Sequence, residues 1–225
     1  MLQVKIAVVI PALDEAEEVE SAVSSAQAEG VEIVVVDGGS RDDTRERARE
    51  LGARVLRTER GRARQLQRGL EASHGDVVLF LHADTRLPDG WDDALRQALD
   101  DPAVAGGAFR LRFEDEGVAI RVVEWGARIR GAWLGLPFGD QALFARRSVL
   151  MEIGGVPDVP VMEDLDLVRA IKARGRLSLL ALPATTSARR YRSRGVARTA
   201  LTHALATFAW GLGVDRGRLA SWLGR

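Results

Sequence analysis

Acidic residues follow three short apolar runs in this sequence. The segment PALDE (11–15) follows KIAVVI, DGGS (37–40) follows EIVVV, and HAD (82–84) follows DVVLFL. Ligands collect at the carboxyl ends of parallel strands, where such segments meet at one edge of the sheet. We therefore expect these three segments to converge on one ligand site.

Asp37 has two interpretations that the sequence leaves open. A carboxylate at a strand end can accept a hydrogen bond from a base N–H group or a ribose hydroxyl, and neighbouring glycines let a ligand approach the backbone. The run Asp37-Gly38-Gly39 is equally typical of a plain turn. By contrast, Asp42, Asp43 and Thr44 are predicted to begin and cap a helix.

Asp84 is the candidate metal ligand. Magnesium and manganese are typically held by one or two carboxylates together with phosphate oxygens, so Asp84 suits a cation that bridges a diphosphate. Zinc is disfavoured because the three histidines are far apart and the chain has no cysteine. The alternatives are that Asp84 caps the following turn and that His82 is a structural hydrogen-bonding residue.

The remaining charged groups suit proton transfer and anion binding. Glu163 and Asp164 begin a predicted helix, where acids favour the helix dipole, but a carboxylate near an acceptor hydroxyl can also act as a general base. Two basic blocks, 60–64 and 189–194, could hold a diphosphate through arginine forks. Either block could instead be a solvated surface, and the second could also meet acidic lipid headgroups.

Apolar periodicity predicts the elements that position these residues. The first half alternates strands (5–10, 32–36, 53–57, 76–82) with helices (15–29, 44–51, 63–73). This alternation predicts a parallel sheet that is covered on both faces. The second half mixes strands (106–113, 141–146, 177–182) with helices (118–130, 163–174, 196–212) and should cover the mouth of the site.

Composition narrows the class of protein. The 225 residues include 46% hydrophobic residues, enough for a full core, and 32 basic residues balance 32 acidic ones. A zero formal charge gives no case for nucleic-acid binding. Disulfides are excluded by the lack of cysteine, and residues 1–11 lack the features of a signal peptide, so we expect a cytoplasmic protein.

The order of five motifs resembles the family 2 glycosyltransferases, which have the nucleotide-binding GT-A fold. These motifs are PALDE, VVVDGGSRDDT, LHADT, GDQALF and MEDLDL. GRARQ, FLHADT and RRYRSRGV are similar to the subgroup described as arsenosugar-biosynthesis-type glycosyltransferases. The resemblance implies an α/β, Rossmann-like fold with a mixed, mostly parallel sheet flanked by helices. It also implies an inverting sugar transfer that is assisted by Mn²⁺ or Mg²⁺.

The resemblance implies a role for each matching residue. Asp164 would be the catalytic base, supported by Glu163, and Asp84 would ligate the metal. His82 stands where the family has the first acid of its Asp-x-Asp motif, and Ala83 lies between the two positions. The nucleotide, its diphosphate, the donor sugar and the acceptor would be contacted by Pro11, Leu13, Glu15, Asp37, Arg62, Arg64, Asp140, Gln141, Arg189 and Arg192.

The organisation of the chain follows from the absence of a clean boundary between its halves, and the partners are implied by the resemblance. We expect a single domain over 1–225, with a nucleotide-binding half (1–105), an acceptor and catalytic half (106–195) and an apolar C-terminal helix (196–225). The donor would be a UDP- or GDP-sugar, and the acceptor a small molecule or a lipid-linked one. The alternative functions are a nucleotidyltransferase and a catalytically inactive nucleotide-sugar-binding module.

The apolar tail, 199–214, raises a separate question. Its apolar residues and the basic block before it are consistent with peripheral docking at the inner face of a membrane. Packing on the core or on a second subunit of a homodimer explains the same pattern, and we favour packing.

Overall fold

The computed structural model describes residues 4–223, apart from the side chain of Ala132. Within these residues one sheet contains eight strands: β1 (Ile6–Ala12), β2 (Val31–Asp37), β3 (Arg54–Arg57), β4 (Val77–Phe80), β5 (Thr85–Arg86), β6 (Val104–Phe113), β7 (Leu143–Arg146) and β8 (Arg176–Thr186). The helices are α1 (Val19–Ser25), α2 (Thr44–Glu50), α3 (Arg62–Ala72), α4 (Trp91–Leu99), α5 (Val118–Ile129), α6 (Arg147–Glu152), α7 (Glu163–Lys172), α8 (Arg189–Arg194), α9 (Val196–Gly211) and α10 (Arg216–Trp222).

The strand order is β3-β2-β1-β4-β7-β6-β8-β5. The first four strands in this order are parallel to one another, and the helices α1, α2 and α3 are the crossovers that connect β1 to β2, β2 to β3 and β3 to β4. The strand β7 then enters antiparallel between β4 and β6, β8 runs parallel to β6, and β5 pairs antiparallel with β8. The predicted mixed, mostly parallel α/β sheet is therefore confirmed.

Two hydrophobic layers hold this sheet between helices. Alternate residues of β1 point to opposite faces, as expected for a strand with a two-residue repeat. Ile6, Val8 and Ile10 pack in the cluster that contains α1 and α4, whereas Val9 packs in the cluster that contains α3, α6 and α7. Gly69 brings α3 close to the sheet, since a Cβ there would lie 2.2 Å from Val9 Cγ1.

The structure differs from the predicted elements at several boundaries. The helix α1 begins at Val19 rather than Glu15, because the amide of Glu15 donates to Thr44 Oγ1 (2.9 Å) and that of Ala16 to Asp42 Oδ2 (3.0 Å). The strand β7 begins at Leu143, and Gln141 ends a 3-10 turn, Gly139–Gln141. The helices α4, α6, α8 and α10 and the short strand β5 were not predicted. None of the described helices is both long and apolar enough to cross a bilayer.

Candidate active site

A cleft of about 730 Å³ opens between the carboxyl end of β4 and the C-terminal helices. Its lining includes predicted site residues from five separate parts of the chain: Arg62, His82, Asp84, Asp140, Asp164 and Arg189. This convergence agrees with the expected position of a site in a parallel sheet, outside the carboxyl ends of the strands.

The loop that carries Asp84 is fixed to the end of β8. The amide of Ser187 donates to the Asp84 carbonyl at 3.0 Å, and the buried Thr85 hydroxyl lies 3.0 Å from that of Thr186. These contacts hold the Asp84 backbone in place, while its side chain lines the cleft. Within residues 4–223, no group of three or more histidine, cysteine, aspartate or glutamate side chains could hold a metal by itself.

Asp164 lies against the turn that contains Gly139. The Gly139 amide donates to Asp164 Oδ2 at 2.8 Å, and the Leu165 amide donates to Asp164 Oδ1 at 2.9 Å. A Cβ at Gly139 would lie 2.9 Å from His82 Nε2 and 3.2 Å from Asp164 Oδ2. The missing side chain of Gly139 therefore lets His82 and Asp164 approach the same point of the cleft.

Asp140 is the most perturbed acid of the cleft. Its pKa is raised to about 6: burial is the largest cause, Arg130 acts in the opposite direction, and the charges of Asp164 and Asp84 add to the effect of burial. Its Oδ1 is buried and has no hydrogen-bond partner among the described residues. A buried, unsatisfied carboxylate oxygen is rare in folded proteins and is a common feature of functional sites.

Arg62, at the edge of the cleft, forms an ion pair with the buried Glu163. Glu163 is 1% exposed, and its Oε1 accepts a hydrogen bond from Arg62 Nε. The pair ties the start of α3 to the start of α7. The carboxylate of Glu163 is therefore paired with Arg62, which agrees with a supporting role. Of the two adjacent acids Glu163 and Asp164, only Asp164 lines the cleft.

Backbone strain is concentrated around these segments. The three non-glycine residues with positive φ in the described chain are Asp14 (53°), Ala142 (47°) and Met162 (64°). Each adjoins a site segment, and Met162 directly precedes Glu163-Asp164. Strained residues persist only where the surroundings hold them, and they cluster at functional sites.

Glu15 and Arg189 bind each other across the mouth of the site. Arg189 donates to both carboxylate oxygens of Glu15, at 3.0 and 3.3 Å. Burial raises the pKa of Glu15, although the hydrogen bond and charge of Arg189 oppose this shift. The pair joins the loop after β1 to α8 and separates the cleft from a smaller cavity of about 360 Å³.

Asp37 holds a turn in this structure. Its side chain is fully buried and accepts hydrogen bonds from the amides of Gly39 (3.2 Å) and Ser40 (3.0 Å). Arg45 and Arg57 approach its Oδ2 at 3.7 and 4.0 Å. These contacts agree with the turn interpretation, and Asp37 is outside the lining of the cleft.

Several other predicted residues lie away from the cleft. Arg64 faces outward and pairs with Glu59 and Asp158. Gln141 is buried behind the cleft. Its side-chain nitrogen donates to the carbonyl of Phe109, and its side-chain oxygen accepts a hydrogen bond from the backbone amide of Phe138. Four other predicted site residues also do not line the cleft: Pro11, Leu13, Ala83 and Arg192.

One wall of the cleft was only partly predicted: the basic block 189–194 was expected to bind a diphosphate, but its residues on this wall were not among the predicted site residues. Arg190, Arg194 and Arg198 line it together with Thr199 and His203. The four-residue spacing of Arg190 and Arg194 was a signal that could have been found, because residues i and i+4 share one helix face, whereas Arg198 belongs to the next helix, after the break at Gly195.

Comparisons with known proteins identify the family. The sequence model of glycosyl transferase family 2 matches residues 7–154. A glucosyl-3-phosphoglycerate synthase of Mycolicibacterium paratuberculosis is 40% identical, over a match that covers 37% of this chain and 29% of that relative. An uncharacterized protein of Mycobacterium tuberculosis is 30% identical, with 97% of this chain and 75% of that protein covered.

Solved structures share the fold of this chain. A glucosyl-3-phosphoglycerate synthase from Mycobacterium tuberculosis, in complex with Mn²⁺, UDP and glucosyl-3-phosphoglycerate, has a TM-score of 0.66 at 24% identity, covering 94% of this chain and 81% of that one. A mannosyltransferase from Pyrobaculum calidifontis, in complex with GDP-mannose and Mn²⁺, has a TM-score of 0.72 at 19% identity, covering 96% and 66%. At these identities the similarity shows the fold alone. From the match of its sequence to the family model, the chain belongs to glycosyl transferase family 2.

Proposed function

We propose that the protein transfers a sugar from a UDP- or GDP-sugar to an acceptor hydroxyl with inversion of the anomeric carbon. The observation that carries this proposal is the convergence of Asp84, Asp140 and Asp164 on one cleft. The solved relatives named above support it, because their complexes contain a divalent cation with UDP or GDP-mannose. The resemblance to the arsenosugar-type subgroup stays a prediction, since the named curated relative is a glucosyl-3-phosphoglycerate synthase.

Asp164 is the proposed general base. Amide hydrogen bonds at both of its oxygens fix the carboxylate, and each oxygen retains a lone pair that can accept a proton. The acceptor oxygen forms the new bond to the anomeric carbon as Asp164 takes its proton. The nucleoside diphosphate leaves with the electron pair of the broken C–O bond, and this single displacement inverts the centre.

Asp84 is the proposed ligand of Mn²⁺ or Mg²⁺. Because no three-residue ligand set exists in residues 4–223, the other ligands would be diphosphate oxygens and water, as is usual for these ions. When bound, such a cation would stabilise negative charge on the leaving diphosphate. His82 and Asp140 would then contact the donor sugar or the acceptor, since both line the same cleft.

The arginine wall favours an acceptor that carries an acidic group. Arg190, Arg194 and Arg198 form a cationic surface opposite the acids of the cleft floor. The hydroxyl of Thr199 on this wall is buried without a hydrogen-bond partner among the described residues. A small phosphorylated acid and a lipid-linked phosphate both present the oxygens that such a wall would bind.

Two alternative functions are less consistent with the structure. Nucleotidyltransferases usually carry a glycine-rich basic loop after the first strand, whereas PALDE at this position is acidic and has no glycine. An inactive binding module would have no need of a fixed carboxylate at Asp164. Only a measurement of turnover separates the inactive module from the enzyme.

Titration calorimetry of UDP and GDP, each with and without Mn²⁺, tests the proposal. We expect one nucleotide to bind in a metal-dependent manner, and Asp84→Ala to abolish this binding. The variant Asp164→Asn should bind the nucleotide normally while its sugar transfer falls by about 10²- to 10⁴-fold. Asp89→Asn, in an exposed turn, is the matched control. Absence of binding of either nucleotide to the wild type would refute the donor site.

A further inference from the structure

The helix α5 presents an unpartnered apolar row to solvent. Its buried residues, Ile120 and Ala127, lie on one side of the helix. On the opposite side, Val118 is 83% exposed, and the row continues through Val122, Trp125 and Ile129 at steps of four, three and four residues. We call these four residues, with Trp133 at 85% exposure in the turn that follows, the α5 row.

The neighbouring helix α9 presents a second row with the same spacing. Leu201, Leu205, Phe208 and Leu212 are 54 to 69% exposed, and we call them the α9 row. The other side of α9 is buried through Ala206, Ala209 and Trp210, among others. Packing on the core therefore accounts for only one side of α9.

The two helices belong to one surface of the molecule. Val123 of α5 packs with Val196 and Ala200 of α9 in a shared cluster around Tyr191. Monomeric soluble proteins rarely expose apolar residues in such concentration, and large exposed patches usually mark an interaction site.

The charge of this surface distinguishes between the two partners that could cover it, an anionic membrane and a second copy of the chain. Residues 189–214 contain five arginines and no acid, although the whole chain has a net charge of zero. An anionic bilayer attracts such a segment, and exposed tryptophans such as Trp125 and Trp133 suit the headgroup region. A second copy related by a two-fold axis would instead place the same arginines near each other, which is unfavourable.

We propose that the α5 and α9 rows dock the protein on the surface of an anionic membrane. The apolar rows enter the boundary between headgroups and acyl chains, and the arginines of α8 and α9 contact the anionic headgroups. Arg194, Arg198 and Thr202 of this segment also line the cleft, so docking places the cleft beside the bilayer. The docking itself does not depend on the proposed sugar transfer.

Flotation with vesicles tests this proposal on the full chain. Wild type should float with phosphatidylglycerol–phosphatidylcholine vesicles and much less with phosphatidylcholine alone. Leu205→Ser/Phe208→Ser and Val122→Ser/Trp125→Ser should each lower partitioning by about tenfold or more, because each removes two apolar side chains from the contact. Met151→Ser, a comparably exposed residue on α6 outside both rows, should float like wild type.

The outcomes are distinguishable from those of the donor site. Nucleotide binding is measured on the same variants, so a row variant that binds nucleotide but does not float is folded and supports docking. Wild type that binds nucleotide and does not float overturns docking and leaves the proposed function intact. A wild-type dimer in light scattering that the row variants convert to monomer, without flotation, overturns docking in favour of a second copy.

Discussion

Replacement of Asp140 by asparagine should stabilise the protein at neutral pH. Asp140 Oδ1 is buried without a hydrogen-bond partner in the described chain, so the substitution breaks no hydrogen bond at this atom. Burial raises the pKa of Asp140 from 3.8 to about 6, despite the opposing charge of Arg130. The ionised carboxylate is therefore unfavourable in the folded protein, and a neutral amide of the same shape removes this cost.

The size of the effect follows from the pKa difference. One pKa unit corresponds to about 1.4 kcal/mol, so a rise from 3.8 to about 6 corresponds to roughly 3 kcal/mol. Because the raised pKa makes the folded chain bind more protons than the unfolded chain, stability falls as the pH rises through this interval. The advantage of Asp140→Asn is therefore near zero below the lower pKa and complete above the higher one.

Thermal unfolding of the two proteins in a chelating buffer measures this difference. For a chain of this size, roughly 3 kcal/mol should raise Tm by about 6 to 12 °C at pH 7.5, and the gain should shrink to about a fifth of this near pH 4. The exposed Asp89→Asn serves as a control, with no gain expected at either pH. A gain of equal size at both pH values, or none at pH 7.5, would refute the explanation by burial.

Three further outcomes are expected. Arg62→Met leaves the buried Glu163 without its partner and should destabilise the protein by about 3 to 5 kcal/mol in denaturant unfolding, with Glu163→Gln in the same chain recovering part of the loss. Gly139→Ala inserts a Cβ 2.9 Å from His82 Nε2 and should lower sugar transfer by about tenfold or more with nucleotide binding retained, a combination that a global loss of folding would not produce. Burial would raise the pKa of Asp42, but the hydrogen bonds that its carboxylate accepts outweigh this effect and lower the pKa. Asp42→Ala should therefore lower the free energy of unfolding in urea by about 1 kcal/mol at pH 7, and by less as the pH falls through that lowered pKa.

The first half of the fold was predictable because its signals are local. Each of β1, β2 and β4 is a continuous apolar run, and helical crossovers between them leave a parallel sheet as the natural arrangement. The start of α1 was not predictable to the residue, since the amides that delay it bond to side chains of a loop about 26 residues away. No local pattern reports such a partner.

The second half depends on pairings between distant segments. The strand β7 enters between β4 and β6, although the chain passes through β5 and β6 before reaching it. The sequence predicted antiparallel or mixed strands here but not their order, because this order depends on which strand edges remain free after the first half has formed. The same reason explains the extension of β8 to Thr186, which pairs with Thr85.

For the site, strand ends were easier to predict than side-chain directions. His82 and Asp84 could be placed because topology brings strand ends together. Arg62 and Arg64 differ by two residues, which is about 200° around a helix, so only one of them can face the cleft. The same geometry separates Arg192 from Arg190 and Arg194, and the sequence alone did not show which side of the helix faces inward.

The charges of the cleft connect its stability to its proposed chemistry. Arg62 is bound to Glu163 and Arg189 to Glu15, so these two arginines do not fully neutralise the acids that line the cleft. The charges of Asp84 and Asp164 add to burial in raising the pKa of Asp140, so the ionised Asp140 is repelled by both of these neighbours. A bound divalent cation would relieve this repulsion, and ligand binding stabilises a protein by mass action. The advantage of Asp140→Asn in Tm should therefore shrink when Mn²⁺ and the preferred nucleotide are added together, whereas an advantage that is unchanged by both would mean that Asp140 is electrostatically separate from the donor site.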